Sequence, residues 1–112
     1  MSKHDWMFGL QEAVERLPGD EAQFRSHYML RHGTMKVGLY APRADDRQTP
    51  HAQDELYIVV SGQGEFVKNG LRRPFKPQDV IFVEAGAEHR FENFSDDFAT
   101  WVVFWGQRGG EH

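Results

Sequence analysis

Pro50-His51-Ala52-Gln53-Asp54-Glu55-Leu56-Tyr57 stands where a charged, proline-bounded loop, residues 42–50, gives way to an apolar run. On a β-strand, residues two apart share a face. His51, Gln53, Glu55 and Tyr57 would then point one way, as a polar row closed by an aromatic ring. Burying such a row is costly unless something pairs it, and a divalent metal ion satisfies imidazole, amide and carboxylate together. A second stretch, Glu84-Ala85-Gly86-Ala87-Glu88, runs into His89, which opens another apolar run. At about 3.3 Å per residue, His51 and Glu55 on a straight strand would have Cα atoms ~13 Å apart, so the chain must bend between Ala52 and Asp54 for both to reach one ion.

Outward from these stretches, short apolar runs alternate with turn residues about every 8 to 12 positions, the pattern of an all-β domain. The expected strands are residues 23–31, 34–41, 55–61, 64–68, 72–75, 79–83, 89–93 and 99–105. His32-Gly33 and Asn69-Gly70 mark hairpin turns, Asn-Gly being the favoured pair where both turn residues need positive φ. Gly62-Gln63-Gly64 joins two strands and precedes no helix, so it reads as a turn and not as a phosphate loop. One helix is expected over residues 5–17, where Leu10, Ala13, Val14 and Leu17 repeat at helical spacing, with Asp5 as cap and Pro18-Gly19 as stop. Strand edges are best hidden by closing the sheet into a sandwich-like barrel. Runs 56–60, 80–83 and 101–105 are apolar on both faces, so the outer face needs a cover, and a homodimer is the expected one.

Composition narrows the chemistry. The chain has 112 residues, one domain's worth. It contains no cysteine, which removes thiolate nucleophiles, disulfides and sulfur-ligated metals. With a net charge of −4 it lacks the positive field that attracts a phosphate backbone, so no nucleic-acid partner is expected. No window approaches the ~18 apolar residues of a membrane helix, and residues 1–10 lack the apolar stretch of a secretory signal. A cytoplasmic protein without a membrane partner is the expectation. His4, His27, His32 and His112 have no acidic neighbours at ligand spacing and are read as surface or core residues.

Residues 50–93 resemble the cupin superfamily. The first cupin motif, Gly-x5-His-x-His-x3-4-Glu-x6-Gly, is matched in its second half by Glu55 and Gly62. The second, Gly-x5-Pro-x-Gly-x2-His-x3-Asn, is similar to residues 78–93, where Gly86, His89 and Asn93 fall in place while Gln78 and Glu84 replace its glycine and proline. Fifteen residues, Gln63 to Pro77, separate the two halves. The resemblance implies a double-stranded β-helix, a jelly-roll-like barrel, over residues 21–108, with residues 1–20 as a helical extension and 109–112 as a tail. It also implies that His51, Glu55 and His89 ligate a metal, Gln53 taking the slot of the second histidine.

Two imidazoles and a carboxylate are the set used by non-haem Fe(II) oxygenases, and an added amide oxygen suits Mn, Ni or Zn and resembles cupin-type isomerases. The expected activity is therefore dioxygenase-like or isomerase-like chemistry on a small organic molecule, with Glu55 as catalytic carboxylate and Tyr57, Phe91 and Tyr40 against the substrate. The alternatives are a non-catalytic small-molecule sensor barrel and a purely structural dimerisation domain. Asp54, of opposite parity, is expected to be exposed or to stabilise a turn.

Overall fold

Short β-branched and aromatic runs build eight strands in the computed structural model, which describes residues 6–111. A helix, α1 (Leu10–Glu15), precedes β1 (Ser26–His32), β2 (Met35–Tyr40), β3 (Asp54–Ser61), β4 (Gly64–Lys68), β5 (Leu71–Phe75), β6 (Val80–Val83), β7 (His89–Glu92) and β8 (Ala99–Trp105). Every expected strand is present, with small shifts at the ends. The strands form two antiparallel sheets, ordered β1-β2-β8-β3-β6 and β5-β4-β7.

The core lies between the sheets, because alternate residues of each strand point inward. On β3 these are Tyr57 and Val59, and on β8 they are Val102 and Phe104, all buried. Across from them Phe66, Phe75, Phe91 and Phe98 pack ring against ring, with Phe91 4.8 Å from both Tyr57 and Phe66 and 4.7 Å from Phe98. Offset and edge-on contacts of this kind suit the charge distribution of aromatic rings.

Turns set the register. Asn69 and Gly70 both have positive φ, 49° and 82°, as a two-residue hairpin between β4 and β5 requires. Gly62, between β3 and β4, is needed for space as well, since a Cβ there would come within 2.5 Å of the Phe98 Cα. Gln78, at the motif's glycine position, has φ +76°, in the left-handed region that glycine occupies without cost.

The helix is shorter than its apolar pattern implies. It starts at Leu10 with Gly9 as its N-cap, whose N–H donates to Glu12 Oε1 at 3.3 Å, and Arg16 closes it ahead of Pro18. The expected cap, Asp5, lies outside the described residues. Ala13 is buried and Leu17 half-buried, whereas Leu10 and Val14 stay exposed, so only one edge of the stripe meets the sheet. Ala13 packs with Leu39, Ala41 and Ala99, and the Phe8 ring meets Trp101 at 5.8 Å. The N-terminal segment thus covers part of the outer face of β2 and β8 from within the same chain. Ile58, Val80 and Phe82, on β3 and β6, remain exposed. Among the described residues, no helix is long and apolar enough to cross a membrane.

Phe98 is fully buried at the centre of the aromatic cluster. Phe98→Ala should cost about 3 to 5 kcal/mol of stability, read as a lower midpoint in urea denaturation followed by circular dichroism.

Candidate metal centre

The backbone bends at Ala52 and Gln53 immediately before β3. Two hydrogen bonds hold the bend: Gly86 N–H donates to the His51 carbonyl at 2.8 Å, and Gly109 N–H to the Ala52 carbonyl at 2.7 Å. Asp54, the first residue of the strand, is buried, which corrects the exposed half of its expectation. Its carboxylate accepts N–H bonds from Ala85 at 2.9 Å and Glu111 at 2.8 Å. Asp54 and the His51 carbonyl therefore tie the lead-in of β3 to the loop that delivers His89.

This bend brings His51, Glu55 and His89 together. One potential ligand atom from each lies within 4.8 Å of the others. Glu55 Oε1 is 3.2 Å from His89 Nε2 and 3.8 Å from His51 Nε2. Glu55 is 1% exposed, too little for water to solvate its charge. His89 Nδ1 lies 2.9 Å from the Ala87 carbonyl. Because a carbonyl only accepts, Nδ1 must carry the proton, and in a neutral ring Nε2 then presents a lone pair. That lone pair faces a carboxylate oxygen, two acceptors with nothing between them to share. Glu55 Oε1 and His89 Nε2 are indeed buried without a hydrogen-bond partner. A proton or a metal ion would relieve this arrangement, and two imidazole nitrogens with a carboxylate oxygen are a donor set that divalent transition metals accept.

The electrostatics agree. Burial disfavours charge on His89, yet the adjoining Glu55 carboxylate and the Ala87 carbonyl outweigh it and hold the pKa above the ordinary imidazole value. At His51 burial prevails over the attraction of Glu55, with His89 adding repulsion, and the pKa falls. Of the two imidazoles, His89 thus holds a second proton more readily than His51.

His51 and Glu55 open onto a cavity of about 290 Å³, whose walls include Tyr28, Tyr40, Gln48, Thr49, Tyr57 and Phe104. Burial, then the negative charges of Glu55 and Asp46, push the Tyr57 hydroxyl well above the usual phenol range, so it stays a proton donor at neutral pH. The same influences, burial first, raise Tyr40, whose hydroxyl donates to Asp46 Oδ1.

Two of the expected site residues lie elsewhere. Gln53 sits within the bend, which breaks the strand's alternation. Its amide nitrogen donates to the carbonyls of Thr34 at 3.0 Å and Gly106 at 2.9 Å, away from the histidines. Phe91 lies behind Tyr57 in the aromatic core and does not line the cavity. In place of Gln53, an amide from the preceding loop reaches the site: Gln48 Oε1 is 3.1 Å from His51 Nε2 and accepts the Tyr57 hydroxyl at 2.9 Å. Asp46 holds that amide, accepting from Gln48 Nε2 at 2.7 Å and from its backbone N–H at 3.2 Å. Reasoning from sequence missed both residues. The available signal was the loop itself, since a long irregular connection in a compact domain commonly carries function.

Comparison with known proteins identifies the family and the fold. A family model described as a cupin domain matches residues 36–105. An uncharacterized protein of Streptomyces coelicolor is 40% identical over 93 residues, covering 81% of this chain and 86% of that protein. The oxalate-binding protein of Thermotoga maritima is 41% identical over 39 residues, which span 35% of this chain and 32% of that protein. The crystal structure of a cupin 2 conserved barrel domain protein from Salinispora arenicola superposes with a TM-score of 0.68 at 23% identity, over 89% of this chain and 87% of that one.

Metal and protons compete for the same imidazoles, which fixes the sign of a pH effect. In the metal-free protein, the raised pKa of His89 means its proton stabilises the fold below the unfolded imidazole value of about 6.5, a contribution lost as pH rises through the folded pKa. Stabilisation by added Zn²⁺ or Mn²⁺ should run the other way, growing between about pH 6 and 8. At about 100-fold excess over Kd it should reach about 2.7 kcal/mol, measured as a rise in the unfolding midpoint over a chelator control. His51→Ala combined with His89→Ala should abolish the rise.

Proposed function

This chain belongs to the cupin family, and on that premise we propose that His51, Glu55 and His89 hold a divalent metal ion (Fe, Mn, Ni or Zn) at the base of the cavity, where the protein acts on a small organic molecule. The observation that supports this reading is the buried pair Glu55 Oε1 and His89 Nε2, which face each other unpaired beside a cavity. A bound ion would supply a Lewis-acid contact for a ligand oxygen. Glu55 Oε1 and His89 Nε2 are buried while the His51 side chain is 30% exposed beside the cavity, so a small molecule would approach from the His51 side.

The chain's own residues supply the rest. Glu55 is the carboxylate at the cavity floor, in reach to take a proton from a bound molecule and return it, as isomerase-like chemistry needs. Phe104 and Tyr28 exclude water from the wall, as dioxygenase-like chemistry needs. Tyr57 keeps its hydroxyl proton and can orient a ligand oxygen. The Tyr40 hydroxyl is committed to Asp46, so its ring serves as wall. A cavity of about 290 Å³ is near the small end of ligand sites, typically about 300–1,000 Å³, and favours a compact, oxygen-bearing compound.

Likeness to a protein named for binding oxalate favours a second reading, a barrel that binds a small ligand without converting it. A thermal-shift screen of the metal-loaded protein against small carboxylic acids, hydroxy acids and ketoses separates the two. Oxygen uptake or isomer formation with a stabilising compound is the result expected of an enzyme. Stabilisation without turnover, in both aerobic and anaerobic buffer, would establish the binding barrel. Protein that stays metal-free in elemental analysis after exposure to Fe²⁺, Mn²⁺, Ni²⁺ and Zn²⁺ would overturn both.

We also propose that two copies pair through the outer face of β3 and β6, where Ile58, Val80 and Phe82 remain exposed. Light scattering at micromolar concentration should give twice the chain mass, and Phe82→Lys should return it to the monomer value.

A further inference from the structure

The loop between β2 and β3 ends in a hydrogen-bond arrangement that settles which way one amide faces. All four acceptor positions of Asp46 are used: Oδ1 takes the Tyr40 hydroxyl and the Gln48 backbone N–H, and Oδ2 takes Gln48 Nε2 and the Phe91 backbone N–H at 2.8 Å. With its NH₂ held by a carboxylate, Gln48 has one orientation open to it, and its Oε1 turns to Tyr57 and His51. Tyr57 occupies one lone pair at 2.9 Å. The other faces His51 Nε2 at 3.1 Å, the ring nitrogen that also lies 3.8 Å from Glu55 Oε1.

A metal-binding imidazole offers a lone pair, not a proton, to its ion. Once His51 Nε2 is bare, Gln48 Oε1 loses its donor and becomes a second acceptor at close range. Gln48 Oε1 then adjoins His51 Nε2 at 3.1 Å, His51 Nε2 lies 3.8 Å from Glu55 Oε1, and Glu55 Oε1 lies 3.2 Å from His89 Nε2, a chain of acceptors only. A cation satisfies them together. We propose that Gln48 is the amide ligand of the metal centre, completing a set of two imidazoles, a carboxylate and an amide oxygen, and that Asp46 is the positioning residue that keeps its oxygen pointed inward. This assignment rests on the metal-binding reading above. It places the amide donor on a loop before the bend, at a position distinct from Gln53, whose nitrogen is engaged with backbone carbonyls.

Co²⁺ tests the assignment, because its visible absorption reports ligand number and type independently of any turnover. The full-length protein and its Gln48→Met, Gln53→Met and Asp46→Asn variants are titrated with Co²⁺ by absorption and calorimetry, after circular dichroism and thermal melts confirm folding. Gln48→Met keeps the side-chain length and removes the oxygen. It should change the Co²⁺ spectrum and weaken binding at least tenfold, while Gln53→Met leaves the spectrum unchanged. Asp46→Asn, which offers an NH₂ where Gln48 needs an acceptor, should weaken binding by about 10 to 100-fold, the range typical of groups that orient ligands. In the Gln48→Met background it should cost little more, since both changes act through one oxygen. A Gln48→Met protein with the wild-type spectrum and affinity within twofold would overturn the assignment and leave the three-residue site standing. Wild-type protein that takes up no Co²⁺ would overturn both. If Asp46→Asn fails to fold, Gln48→Met against Gln53→Met still decides the ligand.

Discussion

A carboxylate that water cannot reach governs this molecule. Glu55 enters the interior on β3 with 1% of its surface exposed, and a negative charge there is unfavourable by several kcal/mol unless a positive or donating group meets it. No arginine or lysine forms an ion pair with it among the described residues; two histidines lie near it instead. One of these has its donor already spent on the Ala87 carbonyl. The interior is thus arranged around a place that could hold a cation.

Much of the surrounding architecture serves to deliver those side chains. Asp54 and the His51 carbonyl bind the loop at Ala85 and Gly86, so the two stretches that carry ligands, far apart in sequence, are joined by backbone hydrogen bonds as well as through their side chains. Behind the site, the rings of Tyr57, Phe66, Phe75, Phe91 and Phe98 form a packed layer that keeps the floor dry and the imidazoles in place. The short N-terminal helix packs through Ala13 against Leu39, Ala41 and Ala99 in a separate cluster from the aromatic core.

The strands were legible because alternation and turn residues are local signals. Val59 and Tyr57 face inward because their parity demands it, and Asn69-Gly70 turns because positive φ is easy at both residues. His51 and Glu55 were legible as part of a polar row that could not be buried alone, and His89 through its place in the second cupin motif. Gln53 was misplaced for an instructive reason. The bend needed to bring His51 within reach of Glu55 is the very feature that ends strict alternation, so a residue inside it cannot be assigned to a face by parity. Asp46 and Gln48 were hidden for another reason. They lie in an irregular loop, where no periodicity ties a residue's position to the direction of its side chain.

The sequence by itself determined the all-β class, the positions of the strands along the chain and the chemical limits of the site, since composition, parity and turn preference act over a few residues at a time. Tertiary structure alone decided which amide reaches His51, that Phe91 backs the cavity wall without forming it, and that Asp54 is a buried staple. Each of these depends on a long-range hydrogen bond or contact, such as Asp46 with the Phe91 N–H or Asp54 with the Ala85 N–H, whose partners are brought together only when the two sheets close.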